Sequence, residues 1–252
     1  MPYSIVILSK TLSNLVACIR AVREHGETAR IIVVDDGLGE IPVDMQDGET
    51  CWLHGAAPCV RIPGISPFVF ARNANEGIRA AGMDDVVLLN DDALLESYLG
   101  FSHLDTQCNA VRMDMGIIAA TTNVTGYPQQ WRRLAAQVRA VEIAAFVCVY
   151  IPRQTIELVG LLDERFVTYG GDDVDYCLRV REAGLLVGVS DFCFVDHSRL
   201  HSTFRGDARS GGDITESNRL GFAKWGAKWP HGRHTVSETS HGRARLGQVG
   251  QR

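Results

Sequence analysis

Short runs of Val, Ile and Leu recur along the chain, separated by segments whose apolar residues fall at helical spacing. Tyr3 to Ser9, Ile31 to Asp35, Val86 to Asn90 and Ile117 to Thr121 are apolar without alternation, the pattern of strands buried on both faces. Between the first two, Leu12, Leu15, Val16, Ile19 and Val22 mark one face of a helix, giving a strand–helix–strand unit. Asn73 to Ala81 predicts a shorter helix ahead of the third strand. Ala144 to Ile151 predicts another buried strand, stopped by Pro152, and Val174 to Ala183 a helix closed by Gly184. Strands alternating with helices predict an α/β fold with a mostly parallel central sheet and helices on both faces. Gly37 to Pro67, rich in Gly, Pro and Asp, reads as irregular loop with at most one short strand. From His231 the apolar content collapses, and Arg233, Arg243, Arg245 and Arg252 face only Glu238. The expectation is one domain over residues 1–230 followed by a disordered basic tail.

Composition narrows this picture. With 252 residues, 46% of them hydrophobic, the chain can bury a core without covalent staples. Its formal net charge of -5 gives no sign of a nucleic-acid binder. The seven cysteines are scattered and form no CxxC pair, which reads as reduced thiols in a cytoplasmic protein rather than a disulfide framework or zinc site. No basic segment precedes the opening apolar run, so no signal peptide is expected, and no run reaches the roughly 18 apolar residues that span a bilayer. Contact with a membrane would be peripheral, with weak help from the basic tail. Asn123-Val124-Thr125 spells a glycosylation acceptor, read as coincidence in a cytoplasmic chain.

Candidate chemistry lies where apolar runs end, because open α/β sheets bind ligands beyond the carboxyl ends of their strands. Ile31 to Val34 runs into Asp35-Asp36-Gly37, and Val86 to Leu89 into Asn90-Asp91-Asp92. Phe166 to Gly171 leads to Asp172, Asp173 and Asp175 at a helix start. Any one of these is open to a bland reading as a helix cap. Three together are harder to explain so, since clustered carboxylates repel unless a cation neutralises them, and hard oxygen ligands suit Mg²⁺ or Mn²⁺.

These segments resemble the family 2 glycosyltransferases, with most similarity to the rhamnosyltransferase-like branch. SIVILSKT resembles the family's first strand, IIVVDDG its second, Phe70 to Ile78 its asparagine–glycine helix, and LLNDDALL its DXD-type metal motif. The most specific stretch is Ala145 to Arg179, where AFVCVYIPRQTIELVGLLDERFVTYGGDDVDYCLR is similar to the family's strand, helix, GxxDExFxxYxED phrase and xDxxxR helix. Val195 to Ser202 resembles its late histidine segment, and Lys224-Trp225-Gly226 a closing phrase.

The resemblance implies a GT-A fold and a metal-dependent, inverting transfer of a hexose-type sugar from a UDP- or dTDP-sugar to an acceptor hydroxyl. It implies Asp92 as metal ligand, with His197 either as a further ligand or as a residue that contacts a ligand rather than the metal, and His201 as runner-up. Asp91, Asn90, Ser9, Asp36, Arg72 and Asn75 fall on the donor side, with Asn75 equally readable as a loop brace and Arg72 as a solvated helix-start residue. Asn90 stands where the family often has Asp, and Asp172 where it has Glu. Asp173 is the implied general base, with Asp172 beside it to orient the base or touch the acceptor. Asp175 and Arg179, four apart, predict a helix salt bridge. Trp225 and Trp229 read either as sugar platforms or as packing. The acceptor stays open among a glycan, a lipid-linked sugar and a small molecule. Two other readings are a nucleotidyltransferase and a non-catalytic nucleotide-sugar binder. Ser9 to Asn14 lacks the glycine that a phosphate loop or a dinucleotide fingerprint would carry there.

Overall fold

The computed structural model describes residues 2–39, 59–110, 114–168, 170–201 and 214–230. Its strands are β1 (Tyr3–Ser9), β2 (Arg30–Asp35), β3 (Cys59–Pro63), β4 (Asp85–Asn90), β5 (Leu94–Leu95), β6 (Met115–Thr122), β7 (Val138–Val141), β8 (Cys148–Ile151) and β9 (Leu186–Asp196). The helices are α1 (Leu12–Glu24), α2 (Phe70–Ala80), α3 (Gly100–Cys108), α4 (Arg153–Val159), α5 (Asp172–Glu182) and α6 (Ile214–Trp225). One sheet runs in the order β3-β2-β1-β4-β8-β6-β9-β5, with β7 also paired to β9. β1, β2, β3, β4, β6 and β9 share one direction, and β5, β7 and β8 oppose it.

The unbroken apolar runs are explained by cover on both faces. Ile5, Ile7, Ile31, Val33, Val87 and Leu89 point into a core shared with Leu15 and Ile19 of α1 and Phe101 and Leu104 of α3. Their neighbours Val6, Leu8, Ile32, Val34, Val86 and Leu88 point to the other face, against Ala74 and Ile78 of α2 and Val174 and Leu178 of α5. Each strand residue is thus removed from water, whichever way it points. α2 lies so close to the sheet that a Cβ on Gly77 would stand 2.2 Å from Val6 Cγ1. That approach accounts for the glycine within this helix.

Several expectations shift. α2 starts at Phe70, three residues before the predicted start, because Val69 is extended and its carbonyl accepts from Asn73 N at 3.0 Å. α5 starts at Asp172 after Gly171, whose φ of +96° favours glycine, so all three acids fall in its first turn. β8 covers only the second half of the predicted run. Ahead of it, the Gln130 amide accepts from Ala145 N at 2.9 Å and donates to Ala145 O at 3.0 Å and Ala120 O at 3.1 Å. A side chain there takes backbone groups that a ladder would use. The loop Gly37 to Pro67 contributes one strand, β3, among its described residues. The tail from residue 231 lies outside the described residues.

Candidate active site

The parallel register aligns the carboxyl ends of β1, β2 and β4: Ser9 pairs with Asp35, and Leu8 with Asn90. The chain then carries Asp36 and the Asp91-Asp92 pair just beyond that edge. Ser9 Oγ donates to Asp91 Oδ2 at 2.5 Å, and Ser9 O accepts from Asp36 N at 2.9 Å. Asn73 Nδ2 reaches Asp36 Oδ1 at 3.4 Å. Asp35 serves the turn, accepting from Gly37 N and Leu38 N at 2.8 and 2.7 Å and pairing with Arg61.

The last residue of this cluster comes from far along the chain. β5 pairs antiparallel with β9, Leu94 opposite Asp196, and this brings His197 beside the Asp91-Asp92 turn. His197 Nε2 lies 3.0 Å from Asp92 Oδ1, and both side chains are buried. On the other side of the ring, Nδ1 lies 3.1 Å from Val124 O. A carbonyl only accepts, so Nδ1 carries the proton and Nε2 faces the carboxylate. Asn123 supports the segment, its Oδ1 accepting from His197 N at 2.9 Å and its Nδ2 donating to Asp196 Oδ1 at 2.9 Å. Asn123 therefore works as the brace of the histidine loop, a role hidden behind its glycosylation-like tripeptide. His201 is exposed, and its carbonyl accepts from Asn14 Nδ2 at 2.9 Å. Asp92 and His197 form a pair; among the described residues no three His, Cys, Asp or Glu side chains converge as a metal-ligand set.

A second acid cluster lies in the first turn of α5. That helix turns at Gly184 into the amino end of β9, so its first turn lies towards the carboxyl edge of the sheet. Burial and the Asp173 charge push the Asp172 carboxyl up to about 8. Asp173 is half-buried and accepts from Val174 N at 2.8 Å. Asp175 has the predicted bond to Arg179, Nε to Oδ2 at 2.8 Å, and also accepts from Trp225 Nε1 at 2.7 Å and Lys224 Nζ at 2.6 Å. It is fully buried and ties α6 to α5.

The LLDERF phrase proves to be an electrostatic clamp. Asp163 accepts from Arg165 Nη2 at 2.6 Å and Lys224 Nζ at 2.8 Å, contacts that hold its carboxyl well below the usual range. Glu164 accepts from Asn75 Nδ2 at 2.9 Å and lies 3.9 Å from Arg72 Nε. Asn75 also exchanges two 3.0 Å bonds with the backbone of Leu162, so its amide braces this loop. Both tryptophans are packing residues. Trp229 is buried and stacked on Phe166 with ring centroids 5.8 Å apart, and Trp225 is held by Asp175.

No family model and no curated protein matches this sequence. Solved structures do match its fold. GalNAc-T7 with UDP, GalNAc and Mn²⁺ aligns at a TM-score of 0.69 and 13% identity, over 90% of this chain and 49% of that one. The chain thus spans about half the length of GalNAc-T7. The catalytic domain of Drosophila β1,4-galactosyltransferase 7 with xylobiose aligns at 0.52 and 12% identity, over 87% of this chain and 79% of that one. UTP-bound UGPase from Acinetobacter baumannii aligns at 0.51 and 11% identity, over 88% and 94%. The chain has the GT-A fold of nucleotide-diphospho-sugar transferases. Among the described residues no helix is long and apolar enough to cross a membrane.

Proposed function

We propose that this chain is a glycosyltransferase that moves a hexose-type sugar from a UDP- or dTDP-sugar to an acceptor hydroxyl with inversion. We take residues 1–230 as one transferase domain of the rhamnosyltransferase-like branch. The observation that carries this reading is the His197–Asp92 pair at the carboxyl edge of a GT-A sheet. Its ring is oriented by a carbonyl on the far nitrogen, the arrangement by which proteins prepare an imidazole for a metal. His197 and Asp92 would hold a divalent ion such as Mn²⁺ or Mg²⁺ together with the donor's diphosphate. When bound, such an ion supplies Lewis-acid stabilisation of the leaving diphosphate. GalNAc-T7, similar in fold, is a structure with UDP and Mn²⁺.

On the donor side, Asp91, tied to Ser9, and Asp36, just beyond β2, would accept from donor hydroxyl and base N–H groups. Asn90 beside them offers an amide for the ribose. Asp173 is the general base. It takes the proton from the acceptor hydroxyl as that oxygen bonds to the anomeric carbon and the bond to the diphosphate oxygen breaks. Beside it, burial and the Asp173 charge push the Asp172 carboxyl up to about 8, and Asp172 would orient the base or touch the acceptor. Asn75 and Arg72 also belong to the donor side of this reading, and the Leu162–Glu164 loop that Asn75 braces and Arg72 adjoins would hold them there. Cys18, Cys108, Cys148, Cys177 and Cys193 are buried and unbridged, in keeping with a reducing, cytoplasmic setting. A glycine-free turn between β1 and α1 favours the transferase over the nucleotidyltransferase reading, although UGPase has a similar fold.

The deciding experiment follows UDP release from UDP- and dTDP-sugars with Mn²⁺ and a panel of acceptors. Release that needs Mn²⁺, with product of inverted configuration, is expected. Tight Mn²⁺-dependent UDP binding without turnover on any acceptor would favour the non-catalytic binder.

A further inference from the structure

The loop between the 3-10 turn Pro128–Gln130 and β7 has no part in the chemistry above. Its sequence, WRRLAAQ over residues 131–137, is exposed along the whole length. Trp131 is 50% exposed and Leu134 110%. Single exposed apolar side chains are ordinary. Three further observations set these apart.

The loop backbone is held rather than slack. Arg139, paired with the fully buried Asp191 at 2.9 Å, donates to Gln129 O and, at 3.2 Å, to Trp131 O. Asp191 Oδ1 also accepts from Arg133 N at 3.2 Å. A buried ion pair thus fixes a backbone that presents its large apolar side chains outward. The second observation is charge. Neither Arg132 nor Arg133 meets a carboxylate among the described residues, in a chain of net charge -5. Arg132 lies over the Phe194 ring at 5.2 Å, two residues along β9 from Phe192, which is 43% exposed. The third is position. Trp131 bridges to Thr122 at the carboxyl end of β6, next to the Asn123 that holds His197. The loop borders the same sheet edge as the candidate active site.

A tryptophan that seats at headgroup level, a protruding leucine and two arginines that meet no carboxylate among the described residues match the chemistry of an anionic bilayer surface. A loop of seven exposed residues is small beside the roughly 20 to 30 residues a side that a stable protein interface uses. We infer that residues 131–137 form a peripheral docking element for anionic phospholipid, which turns the carboxyl edge of the sheet towards the membrane. Docking of this kind favours a lipid-linked acceptor, but it needs no turnover and stands or falls apart from the transferase reading.

The test is co-sedimentation of the full chain with vesicles of mixed phosphatidylcholine and phosphatidylglycerol, against phosphatidylcholine alone. Partition at least about tenfold higher onto the anionic vesicles is expected, and it should fall as salt is raised. Arg132→Glu with Arg133→Glu should lower that partition by about tenfold or more, and Leu134→Ser by about threefold. Arg133 and Leu134 are exposed and Arg132 lies over the Phe194 ring from the surface, so circular dichroism and Mn²⁺-dependent UDP binding should match the parent. Equal partition onto the two vesicle types would overturn the inference. So would loop variants that bind like the parent, which would assign binding to another part of the chain. Self-association lost in Leu134→Ser without any vesicle binding would likewise overturn it, making the loop a contact for a second copy.

Discussion

Two acid clusters sit towards the same edge of the sheet and differ in what surrounds them. Asp91 and Asp92 end a strand, and each turns to a partner from a distant segment, Ser9 or His197. Asp172, Asp173 and Asp175 begin a helix and have three separate fates. One is buried with its carboxyl pushed up by burial and its neighbour's charge, one is half-buried and accepts from the next residue's N–H, and one is sealed in an ion network with α6. The same residue type serves as candidate ligand, candidate base and structural anchor, according to its partners. Spacing alone cannot sort these roles.

The largest expected effect separates the clusters by function. Asp173→Asn should lower kcat by about 10³-fold, within the range that general bases contribute, with Mn²⁺-dependent UDP affinity within about threefold of the parent. Equal losses in binding and turnover would remove the distinction. Next, Asp175→Ala strands Arg179 and Lys224 around a lost carboxylate. Breaking a buried pair of this kind costs about 3 to 5 kcal/mol, to be read from urea unfolding. A loss within about 0.5 kcal/mol, the scale of ordinary surface changes, would show that Asp175 anchors nothing.

Asn123→Ala tests how the first cluster is held. Loss of a group that positions a metal-binding histidine typically weakens metal affinity about 10- to 100-fold. Titration of Mn²⁺ with UDP present should show that weakening while the unfolding midpoint moves little. Unchanged Mn²⁺ affinity would make Asn123 a loop residue only.

A pH dependence of stability tests Asp172. Its carboxyl is pushed up to about 8 in the folded chain, whereas an ordinary aspartate lies near about 3.9. The folded state then keeps a proton that the unfolded chain gives up, so this contribution to stability is full below about pH 4 and is lost as pH rises through about 8. The unfolding free energy of the parent should therefore fall from about pH 5 to about pH 8 more steeply than that of Asp172→Asn, which cannot ionise. Parallel slopes would mean that Asp172 is ionised in the fold.

How much of this was legible in the chain varies with distance along it. The strand ends at Asp35-Asp36 and Asn90-Asp91-Asp92 could be read because parallel strands covered on both faces leave continuous apolar runs that stop where the polar residues begin. The Asp175–Arg179 bridge could be read because a helix places residues four apart on one face. The true ends of β8 could not, since the Gln130 side chain intercepts backbone groups of a segment fifteen residues away. Asn123, Val124 O and the Arg139–Asp191 pair carried no local signal at all. The LLDERF phrase was visible as a pattern, but its work as a clamp between α2, α6 and the site loop was not.

By itself the sequence determined the alternation of buried strands and amphipathic helices, and with it the sheet edge where acids gather, because those patterns arise from neighbours in the chain. Only the tertiary structure decided which acid meets which partner. His197 and Asp92, brought together by the β5–β9 pairing, stand 105 apart in the chain, and the Ser9–Asp91 bond joins residues 82 apart. Contacts over such separations depend on the register of the whole sheet, and that register is set only when both faces pack.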